Sequence, residues 1–281
     1  MRISLTGFVV AGLALVCLGD FPVSASEPVR SKRLLLIGQG PDGHPFTTHE
    51  YRAGVRLMAR MLQPVKNLQT IVVSADGDWQ EGPELIAGAD GVMLFVSQGA
   101  KWIHDDAARL AAFQELQRRG GGFVGLHWGV GTRKAEFIEN YVQLFGACHG
   151  GPDRKYKVLE RVTTQIAAPK HPILSGVEPV TVKEEFYYKL KLAKPADQIV
   201  PLIKVPIDGE EHMVGWAWER PNGGRSFGFT GGHFHKNWNQ QAYRRLMTQG
   251  VLWTLKLRIP SQGLSVDVTE EDVALPKREE P

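Results

Sequence analysis

The sequence predicts an α/β protein: a mainly parallel sheet flanked by helices, with a β-rich second half. Three observations predict it. Between residues 33 and 145, short apolar runs alternate with helical patterns, the order a doubly wound parallel sheet requires. The runs 34–37 and, after Gly91, 92–96 are wholly apolar, as strands buried on both faces are. After residue 156 the apolar stretches are separated by Pro and Gly breaks, which reads as further strands.

The elements follow in order. Leu34-Leu35-Leu36-Ile37-Gly38 is a first strand, followed by a Gly/Pro/His loop. Thr47-x-x-Glu50 has the form of a capping box, and Tyr51, Val55, Met58 and Leu62 then place one apolar face on a helix. Ile71-Val72-Val73 is a second strand and 91–97 a third. A helix over 105–119 has acids at its start, arginines at its end and Gly120 as a stop, in keeping with the helix dipole and C-cap preferences. The stretch Gly120-Gly121-Gly122-Phe123-Val124-Gly125-Leu126-His127-Trp128-Gly129 is a fourth strand. Its end, Gly-x-His-x-Gly, has the form of a nucleophile elbow with an imidazole where Ser or Cys usually stands. A helix over 134–145 follows. Strands are then expected at 156–159, 180–182, 199–203, 213–218 and 225–230, a last helix at 240–255, and a loose polar tail from 261.

Composition narrows the function. A chain of 281 residues can bury one substantial core. Net charge is +3 and the charges are scattered, so no basic footprint for nucleic acid is present. Arg2, the apolar stretch 8–18 and Val23-Ser24-Ala25 read as a secretory signal peptide over 1–25, with an uncleaved anchor as the alternative. Export to the periplasm or medium is expected, with no stable membrane span after cleavage. Of the two cysteines only Cys148 is left after cleavage, so no intrachain disulfide is available to the mature domain.

The order of motifs resembles the ThuA-like (trehalose-utilisation) family over roughly residues 33–257. The resemblance rests on Gly120 to His127, on His171-Pro172-Ile173 with Gly176, and on Glu184-Glu185-Phe186-Tyr187. It continues through Gly224-Arg225-Ser226-Phe227 to Gly232-His233 and Leu252-Trp253. It implies a flavodoxin-like, class I glutamine amidotransferase-like fold with the domain at 33–258, and action on a small carbohydrate or oxidised sugar derivative. Amidotransferases of that fold need a thiolate at the elbow. This chain has His127 there, so glutamine hydrolysis by that route is excluded.

The candidate site follows from residue chemistry. His127 can serve as acid, base or metal ligand; the alternative is a ring that satisfies a backbone group. His233 lies in Gly-Gly-His-Phe-His, and on an extended segment His235 would share its side. Alternation separates Glu184 from Glu185; one carboxylate should face solvent, and the family pattern favours Glu185 inward. His44, after the first strand, lies at the carboxyl edge where ligands bind in open α/β sheets, and matches the family's first-loop histidine. His49 reads as a surface residue in the first helical turn; His149 and His171 are weaker candidates. Trp102, Trp128 and Trp238 lie beside site segments and offer flat faces to a sugar, whereas Trp216, Trp218 and Trp253 read as core.

The expected catalytic set is therefore His127, Glu185, His233 and His44, with Trp128, Tyr187, His235 and Trp102 binding substrate. A divalent metal such as Zn, Mn or Fe suits imidazole ligands better than Ca does, and His127 and His233 would hold it. The competing class is a non-catalytic sugar-binding module, which would keep the tryptophans without an inward Glu185–His127 pair.

Overall fold

The run Leu34-Leu35-Leu36-Ile37 is wholly excluded from solvent and forms the centre of β1 (Lys32–Gly38). The structure, a computed structural model, describes residues 30–77 and 79–276. The expected leader at 1–25 and the last five residues lie outside the described residues. From Ser31 onward the chain forms a single unit.

β1 pairs in parallel with β2 (Leu68–Ser74) and with β3 (Gly91–Phe95). β4 (Gly122–Leu126) continues the parallel set beside β3, and β13 (Arg225–Phe229) lies parallel on its other side. Three more strands extend the sheet antiparallel beyond β13: β12 (Glu210–Glu219), β11 (Ile199–Ile207) and β8 (Gln165–Ile166). The order is β2-β1-β3-β4-β13-β12-β11-β8. The expected parallel half and β-rich half are thus one sheet, because β13 returns to pair with β4. Outside it, β7 (Lys155–Thr163) pairs with β9 (Thr181–Tyr188), and β5 (Gly131–Thr132), β6 (Ala147–Gly150) and β10 (Lys191–Leu192) form a small third sheet.

Helices cover the parallel strands. α1 (Tyr51–Leu62) buries Tyr51, Val55, Met58 and Leu62, the face its spacing predicts. α2 (Gly82–Ala87), α3 (Gly99–His104) and α4 (Ala107–Arg118) follow. The single helix expected over 105–119 is α4, with Asp106 accepting from the Arg109 N–H as its cap, and α3 is an addition. α5 (Ile138–Phe145) ends at Gly146, whose φ of 86° is a conformation glycine adopts freely. α6 (Gln241–Thr254) packs Leu246 and Trp253 inward, and Gly250 lets it approach the Phe227 ring.

Two expectations are corrected. The helix does not begin at Thr47: Glu50 does accept from the Thr47 N–H at 3.0 Å, but α1 starts at Tyr51. Thr47 and His49 hold φ of 76° and 52°, which no helical turn allows. The tail is not loose either. Val266 and Val273 are buried, Arg244 donates to the Val266 carbonyl, and Thr269 closes a capping box on α7 (Glu270–Val273). Among the described residues no helix is long and apolar enough to cross a membrane.

Candidate metal and acid–base centre

The elbow after β4 has the form its glycines predict. His127 leaves the strand with φ of 49°, a strained conformation for a non-glycine residue. Gly125 and Gly129 leave the room it needs: a Cβ on Gly125 would meet Val130 at 2.6 Å, and one on Gly129 would meet the Leu94 carbonyl. The ring is fully buried. Its Nδ1 lies 2.8 Å from the Thr230 carbonyl, so Nδ1 carries the proton and Nε2 keeps its lone pair. Burial, with His49 and His233 beside it, pushes the imidazole well below its ordinary pKa.

The second wall comes from the loop after β1. Backbone bonds zip residues 47–49 to 233–235: His49 N–H to the His233 carbonyl at 3.0 Å, and His235 N–H to the Thr47 carbonyl at 2.9 Å. The left-handed conformation at His49 turns its ring inward, where it is 3% exposed. His49, expected on the surface, is therefore at the centre. Its Nδ1 donates to Asp42 Oδ2 at 3.0 Å, which leaves Nε2 as the free acceptor. Asp42 also accepts from Tyr51 Oη at 2.6 Å and from His44 Nδ1 at 2.7 Å. Burial opposes the charge on Asp42, but the bonds from His49, Tyr51 and His44 hold its carboxyl far below the usual range. Burial depresses His49 as well, with Asp42 working against the shift.

Three ring nitrogens thus meet. His49 Nε2 lies 3.0 Å from both His127 Nε2 and His233 Nδ1, and the last two are 3.3 Å apart. Two of the three carry lone pairs fixed by partners on the other side of their rings. Protonated on Nδ1, His233 donates to His49 Nε2; protonated on Nε2 instead, it turns a third lone pair inward, and three neutral acceptors around one point suit a cation. The spacing suits three nitrogens each about 2.0–2.1 Å from one transition-metal ion. Glu185 Oε1 lies 3.7 Å from His233 Nδ1 and 3.9 Å from His127 Nε2, and with the three histidines completes a set able to hold a metal ion. Tyr187 Oη approaches His127 Nε2 at 3.0 Å.

Neither glutamate faces solvent, contrary to the alternation argument. Glu185 reaches the centre, and burial pushes its carboxyl up to about 7 against the pull of His44. Glu184 lies on the other face of β9 and is fully buried. There it accepts from the backbone N–H groups of Gly232 at 3.0 Å and His233 at 3.1 Å, and from Asn237 Nδ2 at 2.9 Å. One carboxylate enters the site and its neighbour anchors the turn that carries His233.

The other candidates divide. His44 stacks on His49 at 3.6 Å between centroids with its side chain 38% exposed, which places it at the mouth. Tyr187 is stacked between His127 and His149, at 4.6 and 4.0 Å, and Trp128 packs edge-on to it. His149 is buried and pushed down to about 3 by that burial. His235 leaves the site: a 3-10 turn starts there, so it does not share a side with His233, and its Nε2 donates to the Val273 carbonyl at 2.9 Å. Trp102 packs with Trp79, Phe113 and Arg109 instead of the histidines. Trp238 is core. Cys148 is a buried free thiol that burial pushes far up in pKa.

His49 and Asp42 are the residues that sequence reasoning missed. The signal available was a loop at the carboxyl edge carrying Asp42, His44 and His49 together, a density of ligand-type side chains that points to one centre.

Comparison with known proteins agrees with this architecture. A ThuA-like protein from Bacteroides uniformis superposes with a TM-score of 0.60 at 13% identity, over 83% of this chain and 95% of its own. One from Parabacteroides merdae gives 0.60 at 14% identity, over 88% and 100%. A glutamine amidotransferase from Thermotoga maritima superposes more loosely, with a TM-score of 0.42 at 12% identity over 81% and 97%. The search of curated proteins gives no match. The ThuA family, described as trehalose utilisation, matches residues 42–254, well over half of the 281-residue sequence. The chain belongs to the ThuA family.

Proposed function

We propose that this protein is an exported enzyme that performs metal-assisted acid–base chemistry on a carbohydrate or keto-sugar derivative. The observation that carries the reading is the convergence of His49 Nε2, His127 Nε2 and His233 Nδ1 within 3.0–3.3 Å, beside Glu185. His49, His127 and His233 would hold the ion; imidazole donors favour Zn, Mn or Fe over Ca. When bound, such an ion supplies a Lewis acid for a carbonyl or hydroxyl oxygen of the substrate.

The protein's own groups do the rest. His127 is buried, neutral and tied to Thr230, which suits a ligand better than a group that shuttles protons. Burial pushes the Glu185 carboxyl up in the metal-free site; a cation held by the histidines would draw it down again, leaving a carboxylate able to act as the base. Glu185 could take a proton from the carbon beside a substrate carbonyl and return it to the neighbouring carbon, as an isomerase does, or to the oxygen of a departing hydroxyl or alkoxyl group, as a lyase does; in hydrolysis it would take the proton from the attacking water and pass it to the leaving oxygen. Tyr187 Oη, near both Glu185 and His127, can orient a substrate hydroxyl. His44 at the mouth gives a sugar ring a polar contact, while Trp128 and Tyr187, expected to bind substrate, are buried and packed with His127 and His149, so they brace the centre from behind. Glutamine hydrolysis has no thiolate here, since Cys148 is sealed in the core.

The test is a screen of purified, metal-loaded protein against keto-sugars and disaccharides, run alongside His127→Ala and Glu185→Gln. Glu185→Gln should cut turnover by about two to four orders of magnitude with metal retained; His127→Ala should lose both. A folded native protein with no turnover, binding sugar only, would establish the binding-module alternative instead. Export is tested by mass spectrometry of the native protein: an N-terminus near Ser26 supports it, and a full-length chain overturns it.

A further inference from the structure

β2 closes one end of the large sheet, and its outer edge meets no other strand among the described residues. A free edge is a row of unpaired backbone donors and acceptors, which proteins usually blunt with charges, proline, a bulge or a very short strand. The opposite end of the same sheet is blunted in this way, since β8 has only two residues. In the separate β7–β9 pair, β7 carries Lys155, Lys157, Glu160 and Arg161. β2 has none of these devices. Its seven residues, Leu68-Gln69-Thr70-Ile71-Val72-Val73-Ser74, include no charge and no proline. Their register with β1 is unbroken, and Val72 is 41% exposed.

The backbone bonds fix which groups face outward. The Asn67 carbonyl accepts from the Lys32 N–H at 2.8 Å, and the Ala75 N–H donates to the Gly38 carbonyl at 2.7 Å. Odd-numbered positions therefore turn toward β1. By alternation along the strand, Leu68, Thr70, Val72 and Ser74 present their N–H and C=O groups outward.

A second copy of the same strand fits this edge about a twofold axis. The antiparallel register that pairs β2 along its full length centres on Ile71. It sets Thr70 against the partner's Val72 and Leu68 against the partner's Ser74, so outward groups meet outward groups. A slip of one residue would set outward groups against inward ones. The same register brings Lys66 opposite the partner's Asp76. Lys66 is exposed and takes no ion pair among the described residues, and Asp76 stays 44% exposed at its side chain despite its bond to Arg52. A slip of two residues shortens the ladder and separates these charges. We propose that β2 is a self-association edge, through which two copies of this chain join their large sheets antiparallel about Ile71.

Sedimentation equilibrium of the purified protein across the micromolar range should show a dimer. Val72→Lys places an ammonium group on each side of the axis without entering the core. It should weaken association by about tenfold or more, with the melting temperature unchanged. Ile71→Cys tests the register. The two thiols would stand in a non-hydrogen-bonded pair on the axis, close enough for a disulfide, so mild oxidation should link the dimer covalently. Gln69→Cys, opposite the partner's Val73, should stay unlinked. Ile71 is partly buried, so Val72→Lys decides the matter if that variant misfolds. A native protein that stays monomeric throughout the range would overturn the proposal. So would a folded Val72→Lys protein that dimerises as tightly as the native one, or a folded Ile71→Cys dimer that oxidation leaves unlinked.

Discussion

Asp42→Asn isolates the electrostatic support of the metal centre from the ligands themselves. Asp42 does not belong to the three-nitrogen cluster; it accepts from His49 Nδ1 at 3.0 Å, His44 Nδ1 at 2.7 Å and Tyr51 Oη at 2.6 Å. The anion fixes the His49 proton on Nδ1, keeps Nε2 free, and makes that nitrogen a stronger donor to a cation. An amide of the same shape keeps one acceptor but turns an NH₂ toward groups that are themselves donors. Loss of such a carboxylate behind a ligating histidine typically lowers metal affinity by about 10–100-fold, or roughly 1.4–2.7 kcal/mol. The assay is competition for Zn(II) against a fluorescent chelator, with thermal melts of both proteins in the metal-free state. His44→Ala removes a different partner of the same carboxylate and should change affinity by less than about threefold, on the same arithmetic. An Asp42→Asn protein that is folded and binds Zn(II) within twofold of the native value would refute the reasoning.

Three further perturbations have expected outcomes. Glu184→Gln leaves several donors of the 232–237 segment facing an amide; urea denaturation should show a loss of at least about 2 kcal/mol, with metal affinity falling as the His233 turn relaxes. Gly99→Ala drives a Cβ into the Gly129 carbonyl and so displaces the elbow that carries His127; a loss of about 1–3 kcal/mol is expected, and unchanged stability and metal binding would count against the elbow packing. His171 concerns pH. Burial depresses it to about 4, below an unfolded value near 6.5, so the unfolded chain binds the extra proton first. Its contribution to stability is complete above pH 6.5 and is lost as pH falls toward 4. His171→Asn should therefore flatten the decline in melting temperature between pH 6.5 and 4; a parallel decline in both proteins would contradict the assignment.

The strands and the elbow were legible because their signals are local. An apolar run such as Leu34–Ile37 can only be buried, and Gly125 and Gly129 announce a tight turn whatever surrounds them. The histidine centre was half legible for the same reason: His127 and His233 each follow a glycine signal. His49 was not, because Thr47-x-x-Glu50 looks like a helix start, and only the pairing of residues 47–49 with 233–235 imposes the left-handed turn that aims the ring inward. The two glutamates show a limit of alternation. β9 is covered on both faces, so Glu184 and Glu185 both find buried partners. His235 and the C-terminal segment were misread together, since each is ordered by the other through the bond to the Val273 carbonyl, a contact between distant stretches with no pattern in either.

The most direct test of the central claim is the metal content of the purified protein after exposure to Zn(II), Mn(II) or Fe(II) and removal of free ion. The native protein should retain one equivalent of one of these metals, and His49→Ala, His127→Ala and His233→Ala should each lose it while remaining folded. Inclusion of His49 is the decisive part, because its role depends on the folded geometry alone. A native protein that retains none of the three metals, or a His49→Ala variant that holds its metal as tightly as the native chain, would contradict the account.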